Sequence, residues 1–376
     1  MNGPIYALSI HADYRCHRSG VCCTSDWDVP VELPLYRRLD EAMTAGRLRP
    51  AADAADGELV FMRAPDLPEQ VGAMVARTSG GACVFYHRSS GLCVIHRDMG
   101  ETRLPATCRY FPRLALRDRR GTFLTLTHYC PTAAAMLFRE GRPIEIVESP
   151  PAFPAGHYEG LVTTPSDWPP LLHPWMLMDH DGYAAWERHM VARCAVDDLS
   201  PESVIATLER DARVLRQYQP HHGSIERAVA ALPSDVLCAS APAVLTDSLA
   251  RYMEAIATAP DDMKPAADED RLPEAYVGLV RHEWSRWHRP LKRYLAAKAF
   301  ASWTAYQGRG VLSVVRGLEA ALALVRVEAA RQCRDAGRAL DAGLLREAFR
   351  YADFVLNHLA VGDQLAETWS RVEEPF

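Results

Sequence analysis

Two rhythms of apolar residues divide the chain. From about residue 176 onward, apolar positions recur at three- and four-residue steps, the period of an amphipathic helix. The spacing predicts helices over 184–195, 201–218, 241–257, 273–287, 290–306, 311–332 and 342–359. Ser200 precedes Pro201, Glu202 and Ser203, which is where an N-terminal cap belongs. Short Gly, Pro or Asp breaks between these segments imply an α-helical bundle. Before about residue 135 the rhythm is weak. One helix is predicted over Pro34–Ala45 and another from Pro131, because proline suits the first helical turn. Strand-like runs at Leu59–Met62 and Thr122–Leu126 lie between turn residues. Residues 142–175 hold eight prolines, too many for a long helix. That stretch reads as a wrapped linker, with Phe153, Tyr158, Trp168 and Trp175 expected to pack against the rest. The expected fold class is therefore mainly α. An irregular Cys-rich module with short strands (1–141) and a Pro-rich linker (142–175) precede an α-helical bundle domain (176–376).

Composition narrows the function. The 376 residues carry a formal net charge of −6, which argues against a general nucleic-acid binder. One basic run, Arg113 to Arg120, reads as a solvated loop, with a site for an anionic ligand as the alternative. No run of about 18 apolar residues exists, so no membrane span is expected. The first residues lack the basic start and apolar stretch of a secretory signal, so a cytoplasmic location is expected.

Cysteine placement changes the picture most. Seven of the ten cysteines fall in the first 130 residues: Cys16, Cys22, Cys23, Cys83, Cys93, Cys108 and Cys130. Cytosolic thiols are kept reduced, so such a group points to metal or redox work before disulfides. A structural zinc site shows paired ligands two to four residues apart; only Cys93-x2-His96 fits, so zinc is disfavoured. Cys22 and Cys23, if extended, would point to opposite faces and rarely serve one ion. Iron–sulfur clusters accept wider, irregular spacing and need four thiolates. Arg109 and Arg113 flank Cys108, where they would stabilise a thiolate or bind an anionic cofactor.

Several blocks then carry a resemblance: Cys22-Cys23-Thr-Ser-Asp-Trp27-Asp-Val29, Cys83-Val-Phe-Tyr, Gly91-Leu-Cys93-Val-Ile-His96, Gly100-Glu-Thr-Arg-Leu104, Thr107-Cys108-Arg-Tyr-Phe-Pro112-Arg113 and Tyr-Cys130-Pro131. In this order they resemble the flagellin lysine-N-methylase family and, more broadly, the cysteine-cluster proteins that chelate zinc or iron. The resemblance covers roughly residues 14–140. It implies an iron–sulfur enzyme holding a [4Fe–4S] cluster on four of the seven cysteines, with S-adenosylmethionine as candidate cofactor. It also implies a protein lysine as substrate and an electron donor as partner. The chain has no glycine-rich loop after a plausible strand, so an ordinary methyltransferase domain is not expected.

Two rival readings stay open. One is an iron–sulfur oxidoreductase acting on a small molecule or peptide; the other is a non-enzymatic metal-binding or electron-transfer protein. An active site is expected in a cleft between module and bundle. His96 is a ligand candidate, and His128-Tyr129-Cys130 would place a proton carrier and a phenol near the centre. Arg286, between Trp284 and Trp287, is a candidate carboxylate binder, with helix packing as the plainer role for the tryptophans. Glu283 and Asp353 are candidate acids in the bundle, with solvated helix-surface carboxylates as the plainer reading, and Cys194, Cys238 and Cys333 are expected to be isolated thiols.

Overall fold

The computed structural model describes residues 3–25, 27–51, 59–63, 67–153, 168–259, 271–359 and 362–370. Helix accounts for about 52% of the chain and the sheets are small, so the mainly α expectation holds. The described residues fall into two compact units. One is drawn from Arg15–Arg113; the other takes the chain up to Tyr14 and nearly everything from Leu114 on. These limits cut across the 1–141 module predicted from sequence. Strand pairing is the reason. β1 (Ile5–Leu8) belongs to a sheet whose other strands come after residue 112.

The unit around the cysteines is built from short pieces. α1 (Val21–Thr24) leads to β2 (Pro30–Glu32) and α2 (Leu33–Thr44). β3 (Phe61–Met62) and β4 (Val71–Val75) complete an antiparallel sheet of order β2-β4-β3. α2 has Pro34 in its first turn, as predicted, and buries Leu39 and Ala42. The hairpin β5 (Tyr86–His87) and β6 (Leu92–Cys93) runs into α3 (Val94–Met99), and α4 (Ala106–Tyr110) closes the unit. The core here is small: Val31, Leu39, Val75, Phe85 and Ile95 are among its buried members, and Cys83, Cys93 and Cys108 pack against it.

The second unit begins with β1 and resumes with β7 (Arg113–Asp118), β8 (Gly121–Leu126), α5 (Pro131–Met136) and β9 (Ile146–Glu148). The sheet order is β7-β8-β1-β9, with β1 parallel to β8 and antiparallel to β9. Every residue of β8 is buried, as befits an interior strand. The predicted linker is thus partly sheet: besides β9 it supplies β10 (Leu171–His173), which pairs with β11 (Met176–Leu177) just beyond it. Phe153 is buried as expected. Trp168 and Trp175 are 61% and 86% exposed, which overturns the idea that they pack, and Tyr158 lies outside the described residues.

The bundle consists of α6 (His180–Ala195), α7 (Pro201–Leu215), α8 (Ile225–Ala230), α9 (Thr246–Ala257), α10 (Leu272–Ala275), α11 (His288–Ala299), α12 (Val311–Ala336), α13 (Ala342–Phe354) and α14 (Gly362–Ser370). Asp179, Ser200, Ser224 and Asp341 cap helix starts, each accepting a backbone N–H three residues on. α12 is buried along most of its length and packs against α7, α9, α11 and α13. A helix apolar around most of its circumference is stable only in such a central position. The predicted helices 273–287 and 342–359 are not continuous. Each passes into a π-helical turn, at Tyr276–Val280 and Val355–Leu359. The segment 284–287 is a 3₁₀ turn. An extra residue in a helical turn leaves the three- and four-residue rhythm nearly intact, so periodicity does not reveal it.

Candidate metal centre

α1 is only one turn long, but it decides the geometry of the paired cysteines. Gly20 enters it at φ 75°, and the backbone N–H groups of Cys23 and Thr24 return to the Gly20 carbonyl at 2.9 and 3.1 Å. The helical backbone brings the Cys22 and Cys23 sulfurs to 3.9 Å of each other. The expectation that the pair points to opposite faces therefore fails, because it assumed an extended backbone. Cys83 is tied to the same turn: its N–H donates to the Cys23 carbonyl at 2.7 Å. Cys93 ends β6 and opens α3, so its sulfur receives the backbone N–H groups of Ile95 and His96. His96 thus contributes its backbone to Cys93. Cys108 sits in the middle of α4, whose first N–H, from Ala106, donates to the Glu32 carboxylate at 2.9 Å.

Five half-buried thiols are thereby gathered in one unit. Cys23 interacts with both Cys22 and Cys93, and Cys108 feels the charges of Cys22, Cys83 and Cys93. Their proton affinities diverge accordingly. Hydrogen bonding from Cys23 lowers Cys22 and brings Cys93 down to about 7, with the backbone N–H groups helping the latter. Cys23, the shared donor, is pushed up. Burial takes Cys83 to about 11 and raises Cys108, where the neighbouring thiols and Glu32 add to the effect. This is the pattern of thiols that share hydrogen bonds and lie largely out of water.

The other two predicted ligands stand differently. Cys16 is exposed, and its sulfur receives the Arg18 N–H at 3.3 Å. Cys130 is buried in the other unit at the start of α5, 3.8 Å from the Tyr14 hydroxyl. Arg109 lies beside Cys108 with its guanidinium 4.9 Å from the Tyr110 ring. Its Nε is buried and has no hydrogen-bond partner among the described residues. Arg113 donates to the Arg109 carbonyl at 3.4 Å. The basic run ends in an ion cluster, not a solvated loop. Arg120 is held by Asp118 at 2.7 Å and Glu187 at 2.9 Å, and its guanidinium lies over the Phe123 ring.

Among the described residues, no three His, Cys, Asp or Glu side chains are grouped tightly enough to hold a single metal ion. A mononuclear zinc site needs its sulfurs about 2.3 Å from one point. An iron–sulfur cluster places each thiolate on a separate corner and asks only for four donors around a larger body. The five thiols fit the second requirement in number and chemistry, and Arg109, half-buried, offers a cation whose Nε has donor capacity to spare.

A second polar cluster was largely missed by sequence reasoning. Asp353 is fully buried, contrary to expectation. It accepts from the Tyr294 hydroxyl at 2.7 Å and the His128 backbone at 2.5 Å, lies 3.2 Å from the His128 ring, and pairs with Lys298. His128 in turn meets His11, Nε2 to Nε2, at 3.3 Å. With Nδ1–H of His128 given to Asp353, His11 must donate from Nε2, which leaves its buried Nδ1 an acceptor without a partner among the described residues. Burial raises the carboxyl of Asp353, but Lys298 and His128 outweigh it and hold the group ionised. The only sequence signal was helical phase, which puts Asp353 four residues after Phe349 on the apolar side of α13. Arg286 is largely exposed and pairs with Glu283, while Trp284 is buried and donates to Glu202 at 2.9 Å.

Comparison with known proteins found no matching family, no similar curated protein and no similar solved structure. Among the described residues, no helix is long and apolar enough to cross a membrane.

Proposed function

We propose that the chain is an iron–sulfur enzyme whose [4Fe–4S] cluster is held by four of Cys22, Cys23, Cys83, Cys93 and Cys108. The observation that carries this reading is the convergence of five half-buried thiols from four separate stretches of sequence. Cys16 and Cys130 drop from the ligand set on the same ground. The resemblance of the surrounding blocks to flagellin lysine-N-methylases supports S-adenosylmethionine as the second cofactor and a lysine side chain as substrate. A bound cluster would supply electron transfer or an anchor for that cofactor.

The chain's own residues do the rest. α1 and the start of α3 fix Cys22, Cys23 and Cys93 before any cofactor arrives, and the α3 backbone N–H groups stabilise a thiolate at Cys93. Arg109 is the nearest sequence neighbour able to offset the negative charge of four thiolates. The small apolar core behind Cys83, Cys93 and Cys108 keeps water from one side of the group.

One observation favours a second reading, electron transfer without substrate chemistry. Five thiols exceed the four a cluster needs, so every iron can be ligated by cysteine, with no position left open for a substrate. Two measurements separate the readings. Serine at Cys23, Cys93 or Cys108 should strip most of the iron and sulfide from reconstituted protein, while serine at Cys238 should not. Reduced, reconstituted protein should consume S-adenosylmethionine if it is the enzyme. Full cluster content without cofactor consumption would favour the electron-transfer reading, and full cluster content in all three serine variants would remove the proposed site.

A further inference from the structure

β10 and β11 form a hairpin whose turn, Pro174-Trp175, joins His173 to Met176. Its inner face packs normally. Leu172 and Met178 are fully buried, and Gly310, just before α12, sits so close that an added Cβ would come 2.2 Å from the Leu171 carbonyl oxygen. The outer face departs from the usual rule, in which a hairpin covered on one side turns polar residues to water. Leu177 pairs with Leu171 and is 60% exposed. Trp175, at the tip, is 86% exposed, more than any other large apolar side chain among the described residues. Its N–H donates to Nδ1 of His173 at 3.3 Å, which ties the tip to the strand.

Trp168 enlarges the patch. It is 61% exposed and stands just before Pro169-Pro170, and the Pro170 carbonyl accepts the Met178 N–H at 2.8 Å. From Trp168 to Met178 the sequence carries no Asp, Glu, Lys or Arg, and His173 is its one polar side chain. Burial and the nearby charge of Arg216 lower the His173 pKa, so the ring is neutral at neutral pH. With these exposures Trp168, Trp175 and Leu177 present about 400–500 Å² of apolar surface, taking ~250 Å² for a whole tryptophan. A stable interface between two copies buries about 800 Å² on each. The patch falls short of that, and an uncharged hairpin tip offers no ion pair to a basic or acidic protein. Tryptophan beside leucine and methionine, without charge, matches the boundary between lipid headgroups and acyl chains.

We propose that the β10–β11 hairpin is a membrane-surface anchor, inserting Trp175 and Leu177 into the headgroup region of a phospholipid bilayer with Trp168 at its edge. The turn sets Trp175 foremost. Leu172 and Met178 belong to the large apolar core of the helical unit and hold the hairpin to it. Such insertion is shallow and needs no spanning helix. The hairpin lies in the helical unit, and the inference is independent of the thiol reading.

Flotation of the full chain with phosphatidylcholine vesicles tests the proposal. The expected result is co-flotation that persists as salt is raised, because no charge pairing drives it. The partition coefficient should fall about tenfold or more in the double variant Trp175→Ser, Leu177→Ser, since binding scales with the apolar area inserted. Both side chains are exposed, so the substitutions leave the buried face of the hairpin untouched. Val244→Ser, which removes a 56% exposed apolar side chain elsewhere in the same unit, should float like the unaltered chain. The proposal is overturned if the unaltered chain does not float with these vesicles, or if the double variant floats equally well. It is equally overturned if flotation requires anionic lipid and disappears with salt. Light scattering that shows a dimer dissolved by the double variant would assign the patch to a second copy and overturn it too.

Discussion

At the scale of single residues, burial decides which titratable groups matter. His358 lies in the π-helical turn after α13, with the Tyr129 ring 5.6 Å away. Burial drives its pKa down to about 4. The unfolded chain takes up that proton near the ordinary value of about 6.5, so between the two values the unfolded state binds more protons. Stability from this group is therefore complete above pH 6.5 and is lost as pH falls toward 4, by about 3 kcal/mol in all. His11 and His128 are shifted the same way by burial and add to the trend. Melting temperatures measured between about pH 7 and pH 4 should fall less steeply for His358→Leu than for the unaltered chain. Parallel curves would show that His358 is not held neutral. None of this was legible in the sequence. His11, His128 and Asp353 are each more than a hundred residues apart, and nothing in local pattern says that they meet.

At the scale of elements, legibility tracked regularity. The helices α2, α6, α7 and α12 were readable because an apolar stripe repeats over three turns or more, and the Ser200 cap formed as its sequence implied. The one-turn α1 has no such stripe, and assuming an extended backbone at Cys22-Cys23 gave the wrong geometry. Gly20 is what makes that turn work. Its φ of 75° suits glycine, and an added Cβ would come within 2.6 Å of the Tyr86 ring. Gly20→Ala should therefore cost about 1 kcal/mol or more and displace the Cys22-Cys23 turn. The expected outcome is a lower denaturation midpoint together with reduced iron incorporation on reconstitution. Normal incorporation with a normal midpoint would mean that the turn does not set the cysteine geometry.

At the scale of the whole molecule, the sequence separated the cysteine-rich region from the helical one but misplaced the division. Two strands that pair across more than a hundred residues, β1 and β8, assign the first residues to the helical unit. Such pairing leaves no trace in local periodicity. The thiol group survives this redrawing: the cysteine cluster that stood out in the sequence is reduced from seven candidates to five, all in one unit. Quantifying iron and acid-labile sulfide after anaerobic purification and reconstitution, with a visible spectrum, tests the central claim most directly. The account predicts a brown protein with about four irons and four sulfides per chain. A colourless chain that takes up zinc without sulfide would contradict it.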